Sequence, residues 1–326
     1  MALQLTELDA YTYDLIVPRT TDVIFASSPV FTRLSQQNAE RFSGNTQIRR
    51  PIIVGELNGD VLSKGGTMDI DFVTTDAAIT AQLKVYWVAI TVYGFDAMNN
   101  DGPEAIFNQV EMKFLNASLK MAKLLAVNMY LNGQATTGRQ LHLNGFSEWY
   151  DDGTNFPTIG GQNRTDINGQ LTGTPGGLNA YTATLTQFTL QTLNTAYGNA
   201  CWGPDHPDLI PATQNAWNLI WNGLQPSQRY PNQENDLGNI GFVNFRFNAA
   251  DVVIDRYLPT GTNGLMFGMN TNYIEWYFSQ VPLFQFGWTG FKGANNSIDA
   301  TGQFLVGSNI MVPNPRTGFK LTSNLF

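Results

Sequence analysis

The chain has a single cysteine, Cys201, and two histidines, His142 and His206, among 326 residues. One thiol cannot close an internal disulfide or support a cysteine-based structural zinc site. No apolar run reaches the roughly eighteen residues that a membrane helix needs. The opening MALQLTELDAYTYDL lacks both the basic start and the apolar core of a signal peptide, so the expectation is a protein made and kept in cytoplasm, with no membrane partner. Charge is also scarce. Asp, Glu, Lys and Arg make up 13% of the residues and leave a net charge of −8, which argues against a chain that grips nucleic acid through its phosphates. Catalytic signatures are missing as well: no Gly-rich phosphate loop with Lys, no nucleophile elbow, no HExxH.

What the sequence does have is glycine (31 residues), aromatic side chains (12%) and abundant Asn, a composition of strands and turns. The length suffices for a large core and about two domains. One stretch alone has sustained helical periodicity, Gly102 to Gly133, GPEAIFNQVEMKFLNASLKMAKLLAVNMYLNG. Pro103 and Glu104 suit its first turn and Gly133 its end, so the spacing predicts a rod of roughly 45 Å. Gln109, Lys113, Asn116, Lys120 and Lys123 form a narrow polar stripe. Apolar rows flank it: Ile106, Val110, Phe114, Ala117, Met121 and Leu125 on one side, and Met112, Leu115, Leu119, Ala122, Ala126 and Met129 on the other. Such a helix is expected to be covered over most of its circumference.

Before this rod, SSPVFTRLSQQ predicts a short helix or turn within an N-terminal region that has no continuous apolar face. That region is an arm lying on other surfaces or a flexible tail. From Arg49 the pattern turns strand-like. RRPIIVGELNGDV leads to a turn at Ser63 to Gly66, and Met68, Ile70 and Phe72 then alternate with Asp69, Asp71 and Val73. AQLKVYWVAITVYGFD from Ala81 is a buried strand feeding the rod. These segments make a long two-stranded excursion, thinly apolar at its tip, which needs a surface to rest on.

After the rod, Gln134 to Gly177 is crowded with Gly, Asn and Thr and has few helix or strand signals. Helices follow at LTQFTLQTLNTAYGNAC and QNAWNLIWNGL, with a short strand between them at Pro207 to Thr213. IGFVNFRFN and ADVVIDRYL are strands divided by a tight turn at Asn248 to Ala250, and LMFGMNTNYIEWYF reads as another strand pair. Gly302 to Thr322 is expected to return to the sheet beside the rod.

Several groups have the composition of reactive sites. Cys201, Asp205, His206 and Asp208 cluster in sequence, as a thiol nucleophile or metal site would, although GPDHPD is a turn composition. Asp69 and Asp71 share a strand face and Asp151 and Asp152 share a turn, where solvated acids are the plainer expectation. Lys113, Lys120 and Lys123 face either nucleic acid or solvent. No catalytic, cofactor or metal residues are assigned.

The ordered succession of these motifs resembles the major capsid proteins of tailed bacteriophages, the Hong Kong 97-type fold. SSPVFTRL resembles that family's short N-terminal apolar element, the Arg49 to Val92 hairpin its extended loop, and the rod from Gly102 its spine helix. Leu224, Pro226, Arg229 and Tyr230 in LQPSQRY are similar to the ending of its axial domain. Phe247, Val252, Val253, Asp255, Pro259, Gly261, Leu265, Phe267, Asn270 and Tyr273 are similar to its following signature. The stretch from Trp149 to Gly177 maps onto no motif.

The resemblance implies an α+β protein that is not an enzyme. It would have an N-terminal arm at 1–48 and an extended β-hairpin loop at 49–80. A peripheral domain would comprise 81–133 and 281–326, with the spine helix at 102–132, and an axial domain would span 134–280. The implied partner is the chain itself, in pentamers and hexamers that close into an icosahedral virion shell assembled in the host cytoplasm. That shell would enclose double-stranded DNA without reading its sequence. A separate scaffolding protein and portal are implied, with a decoration protein as an optional addition. Candidate subunit-contact residues are Leu62, Lys64, Gly65, Gly66 and Met68 at the hairpin tip, with Pro226, Arg229 and Tyr230. A β-rich carbohydrate-binding or tail/fibre structural protein is the competing expectation from the Trp, Tyr and Asn content.

Overall fold

The computed structural model describes residues 28–43, 47–68, 70–94, 103–133, 141–167, 171–186, 188–224, 244–259, 264–293 and 299–323. Helix and sheet are mixed, as expected. The first sheet is built on one strand, β15 (Ala300–Met311), twelve residues long. On one edge it pairs antiparallel with β4 (Lys84–Val92) from Ala300↔Val92 to Ser308↔Lys84. Its other edge is taken in succession by β12 (Glu275–Ser279), β13 (Gln285–Trp288) and β14 (Lys292–Gly293). Ser308 belongs to both the β4 and the β12 ladders, so those two strands must lie on opposite edges. A parallel strand, β1 (Ala39–Phe42), completes the sheet outside β12.

The long helix α2 (Pro103–Asn128) lies against β4 and β15. Its start matches the expected rod, and it ends at Asn128, four residues short of the expected 132. Phe114 meets the rings of Trp288 at 4.7 Å and Phe304 at 5.2 Å, and the row Phe114, Ala117, Met121, Leu125 is buried. Gly302 makes room for this cluster, because a Cβ there would fall 2.1 Å from the Trp288 ring. The expectation of near-complete cover fails on the second row. Ala122, Ala126 and Met129 are buried, but Leu115 and Leu119 stand 43% and 48% exposed beside exposed Lys120 and Lys123. Side chains of 103–112, including Ile106, Gln109, Val110 and Met112, lie outside the described residues.

The second sheet is mixed, in the order β7 (Tyr181–Leu185), β16 (Phe319–Ser323), β11 (Gly264–Gly268), β8 (Leu209–Ala212), β10 (Ala250–Ile254), β9 (Asn244–Phe247). Helices α4 (Leu190–Asn199) and α5 (Gln214–Leu224) bury Leu193, Ala196 and Ile220 against Ile210, Val252 and Phe319. A reciprocal Thr189–Thr192 capping box starts α4, and Asn248, at φ 53, makes the tight β9–β10 turn. Two strand expectations are corrected here. LMFGMNTNYIEWYF is not a pair, since β11 lies in the second sheet and β12 in the first. The closing segment also divides, β15 joining the first sheet and β16 the second. Local alternation identifies a strand but carries no information about which sheet recruits it.

Helix α1 (Pro29–Gln37) starts at Ser28, whose Oγ accepts from Phe31 N, and buries Val30, Phe31 and Leu34 on its own chain. Phe31 meets Trp276 edge-to-face at 4.8 Å. This part of the predicted arm is therefore core; residues 1–27 lie outside the described residues. Ser28 Oγ also donates to Asp255 Oδ2, which accepts a second bond from Tyr130 Oη at 2.9 Å, while Asp255 Oδ1 accepts from Tyr257 N at 2.9 Å. One buried carboxylate thus ties the start of α1, the turn after α2 and the end of β10. Burial raises the Asp255 pKa despite these bonds, and burial followed by the Asp255 charge raises that of Tyr130.

The Asn/Gly-rich stretch after Trp149 folds around a buried guanidinium and a buried carboxylate. It follows a short helix, α3 (Phe146–Trp149). Arg164, 1% exposed, donates to five main-chain oxygens: Phe156 at 2.8 Å, Asp151 at 3.1 Å, Glu148 at 2.7 Å, Trp149 at 3.4 Å and Leu178. Asp151, expected to be solvated, is 1% exposed and accepts from the main-chain N–H groups of Gly153, Asn155 and Phe156 at 3.0–3.1 Å. A segment poor in apolar side chains thereby satisfies its own buried backbone. At Asp152 burial opposes ionisation, but hydrogen bonds from Thr154 and Thr182 outweigh it and hold the carboxyl below its usual range.

Arg164→Met keeps bulk but strands those carbonyls. It should cost about 2–3 kcal/mol or more in denaturant unfolding, the penalty of leaving buried acceptors unpaired, and a loss below about 1 kcal/mol would contradict this account. For Asp255 the sign follows from its raised folded pKa. The folded state holds this proton more tightly than the unfolded chain does, so the group's stabilising contribution is complete below the ordinary carboxylate range and is lost as pH rises through the folded value. The Tm of Asp255→Asn relative to the parent should therefore shift in the variant's favour between pH ~4 and ~7. A difference that does not change with pH would refute the assignment.

Candidate assembly surface

Strands β2 (Ile48–Ile53) and β3 (Asp76–Ala81) pair antiparallel from Ile48↔Ala81 to Ile53↔Asp76 and stand apart from both large sheets. Past this ladder, Val54 N donates to Thr75 O at 2.7 Å and Asn58 Nδ2 to Asp71 O at 3.3 Å. The excursion turns back at Ser63 to Gly66, as expected, with Gly66 N bonded to Ser63 O at 2.9 Å and Gly65 at φ 83. The strand expected over Met68 to Phe72 does not form among the described residues. Alternation alone supplies no partner edge, and this one has no apolar face beneath it.

The side chains of that segment are outward. Val61, Ile70 and Phe72 are 92%, 88% and 94% exposed, and Ile53 and Leu57 are nearly as open. Of the residues singled out from sequence, Met68 is 71% and Leu62 50% exposed, and Lys64, Gly65 and Gly66 are exposed beside them. Pro226, Arg229 and Tyr230 lie outside the described residues, as does Asp69. Sequence reasoning did not single out Ile53, Leu57, Val61, Ile70 and Phe72, because it placed the contact at the turn itself and read the flanking alternation only as strand. The available signal was a turn flanked on both sides by isolated apolar residues with an acid between each.

The base is seated by the buried side chains of Ile48, Ile79 and Ala81 and flanked by polar contacts on each strand. Arg50 of β2 pairs with Glu275 of β12 at 3.1 Å, and Tyr277 Oη donates to the same carboxylate at 2.6 Å. On the β3 side sits a small tongue, β5 (Thr158–Ile159) and β6 (Gln162–Asn163), from the stretch that matched no motif. Gly160 O accepts from Thr80 N at 2.7 Å and Thr80 Oγ1 at 3.1 Å, and Gln162 Nε2 donates to Ala78 O at 2.8 Å.

The reactive-looking clusters have other partners. Arg33 pairs with Asp208 at 2.6 Å, and Thr271 N and Oγ1 donate to Asp208 at 2.7 and 2.5 Å. Asp205 accepts from Tyr273 Oη at 2.8 Å. Burial pushes the Cys201 thiol up, away from the thiolate a nucleophile requires. Among the described residues no group of three His, Cys, Asp or Glu could hold a metal ion, and no helix is long and apolar enough to cross a membrane. Lys113 Nζ donates to Thr91 O at 2.9 Å and lies over the Tyr93 ring, so it is spent within the chain, whereas Lys120 and Lys123 are exposed.

No family model matches the sequence, and no curated protein matches it. Solved structures do match. The capsid of a native GTA particle covers 92% of this chain and 90% of its own at TM-score 0.59 and 9% identity. The Cyanophage A-1(L) capsid covers 90% and 93% at 0.57 and 13% identity. This is the fold of a phage capsid protein. A third match, the holo-SrpI encapsulin complex from Synechococcus elongatus PCC 7942, covers 91% and 87% at 0.54 and 10% identity. The capsid fold therefore extends over nearly the whole chain and is carried by structure at an identity where sequence comparison is silent.

If the excursion's apolar side chains touch only solvent within one subunit, replacing them should leave the subunit as stable as before. Ile70→Ser with Phe72→Ser should move the unfolding free energy by no more than about 0.5 kcal/mol. A loss above about 2 kcal/mol would show that these side chains pack on their own chain.

Proposed function

We propose that this chain is a major capsid protein, which assembles through pentamers and hexamers into an icosahedral shell around the double-stranded DNA of a tailed phage. The observation that carries this is the pairing of a capsid fold with an excursion that displays Ile53, Leu57, Val61, Met68, Ile70 and Phe72 to solvent. Burying such side chains contributes roughly 1.5–3 kcal/mol each, so the excursion carries on the order of 10 kcal/mol that a lone subunit leaves unused. That is comparable to the roughly 4–15 kcal/mol that association costs in lost freedom. Several contacts of this size per subunit make a lattice, while one alone makes a weak dimer.

In this reading the first sheet and α2 form the peripheral domain, and the second sheet forms the axial domain around which rings close. The β2–β3 excursion, with Leu62, Lys64, Gly65, Gly66 and Met68 at its tip, reaches over a neighbour, and Pro226, Arg229 and Tyr230 contribute near the axis. Heterologous contacts of this kind close into rings when the rotation permits. The chain resides in the virion after assembly in the host cytoplasm, with a separate scaffolding protein and portal and an optional decoration protein. The acidic balance of −8 suits a container whose wall must release its DNA. The encapsulin likeness supports the closed shell as the shared property, and nucleic acid inside the purified particle is what makes it a genome container.

Electron microscopy of the purified protein should show closed shells or ring-shaped capsomers. Persistent monomer across assembly conditions, or a small fixed oligomer retained on a sugar column, would overturn the shell reading in favour of a binding module. Deleting Leu62 to Met68 should leave the melting temperature within a few degrees of the parent and abolish closed shells. Normal particles from that variant would remove the tip from the assembly contacts.

A further inference from the structure

The 158–163 tongue meets the projecting hairpin at the middle of β3, through directed hydrogen bonds set beside the buried side chains of Ile159 and Ile79. Gly160 O receives both donors of Thr80, and Gln162 reaches the carbonyl of Ala78 two residues along the same strand. Gly160 sits at φ +55, and a Cβ on it would lie 2.9 Å from Ile79 Cβ and 3.2 Å from Thr80 N. The approach is therefore closer than a side chain permits, and the turn needs a conformation that glycine adopts freely. The tongue itself is rigidly mounted. Arg164, next to β6, is locked by its carbonyl bonds, and Arg164 N donates to Pro157 O at 2.9 Å across the tongue's base.

Burial of Ile48, Ile79 and Ala81 seats the ladder on the core, and the Arg50–Glu275 pair adds a polar contact on the opposite strand. That pair is half-exposed on the arginine side and contributes little, so among the polar contacts the tongue is the stiffer restraint on the hairpin's angle. Beyond the ladder, residues 54–75 run about eleven residues out and eleven back, a lever of up to roughly 35 Å. A tilt of about 10° at its base would move the tip by about 6 Å over that length, more than the tolerance of a packed contact.

We propose that the 158–163 tongue is a clamp that fixes the angle of the projecting hairpin and, through it, the curvature at which subunits join. The statement about curvature rests on the shell reading; the statement about the angle does not. This gives a role to the stretch that resembles no family motif and explains why it is mounted on a buried arginine instead of left as a surface loop.

The test separates the two statements. In a Cys201→Ser background, spin labels at Lys64→Cys and Lys123→Cys report the distance from the tip to α2 in the unassembled subunit. The parent should give one narrow distance distribution. Gly160→Ala and the milder Thr80→Val should each broaden it by several Å while keeping the parent's circular dichroism; Thr80→Val serves if Gly160→Ala does not fold. An unchanged distribution in Thr80→Val combined with Gln162→Leu overturns the clamp, whatever the particles do. Assembled, the clamp variants should give shells of shifted or broadened diameter. Broadened subunits that still build particles of the parent's single diameter overturn the curvature statement. A parent that never assembles overturns the shell reading instead and leaves the clamp to the distance measurement.

Discussion

The structure depends on both edges of β15 being occupied. A twelve-residue strand with β4 along one edge and β12, β13 and β14 along the other joins segments more than 180 positions apart in sequence, as in the pairing of Val85 with Gly307. Once that register is set, Phe114 of α2 has the Trp288 and Phe304 rings to pack on, and the residues after Met311 are delivered to the second sheet as β16. Gly302 shows how tightly this is specified, since even a methyl group there would displace Trp288. The two sheets are thus coupled by continuous chain at β11–β12 as well as at β15–β16, and a change in the tilt of one is transmitted to the other through packed, poorly compressible contacts.

Against this rigid body stands the excursion, whose physics is the inverse. Its ladder is two strands wide, its turn is made by glycine, and its large apolar side chains face water. A two-stranded ribbon is marginal without a surface beneath it. The molecule supplies only the base of one, through the burial of Ile48, Ile79 and Ala81, the tongue and the Arg50–Glu275 pair. The remaining length is stabilised when something else covers it. A capsid fold gives that requirement a natural solution, because identical copies around it offer identical surfaces.

Much of this was legible from residue order and some was not. The presence and order of α2, α4, α5 and β8–β10 followed from periodicity, proline and glycine placement and the Asn248 turn, all local signals, while several of their ends did not. Sheet membership was not legible: β11 and β12 look alike as sequence and lie in different sheets because β16 and β15 capture them. The Arg164 cluster was invisible for a related reason. Its energy lies in side chain to main-chain bonds within a loop, which leave no periodicity, and a lone arginine in a Gly/Asn-rich stretch reads as a solvated charge. The exposed residues of the hairpin were misjudged because alternation of apolar and acidic residues is the same whether the apolar face meets its own core or a neighbour's.

That last ambiguity has a physical resolution in the acids themselves. A long exposed apolar strand is an aggregation hazard, and charges interleaved along it discourage pairing with indiscriminate edges. Between Glu56 and Asp76 the chain places Asp60, Asp69 and Asp71 among Leu57, Val61, Ile70 and Phe72, with Lys64 at the turn. Like charges on two such excursions repel, so tip-to-tip association is disfavoured even though the apolar content would drive it. A partner surface that is apolar and not acidic escapes the penalty. The α2 face with Leu115, Leu119, Lys120 and Lys123 open to solvent has that character. In the proposed shell, the same residues that would make the excursion adhesive would also restrict what it adheres to, with repulsion among the wrong pairs contributing to specificity beside attraction between the right ones.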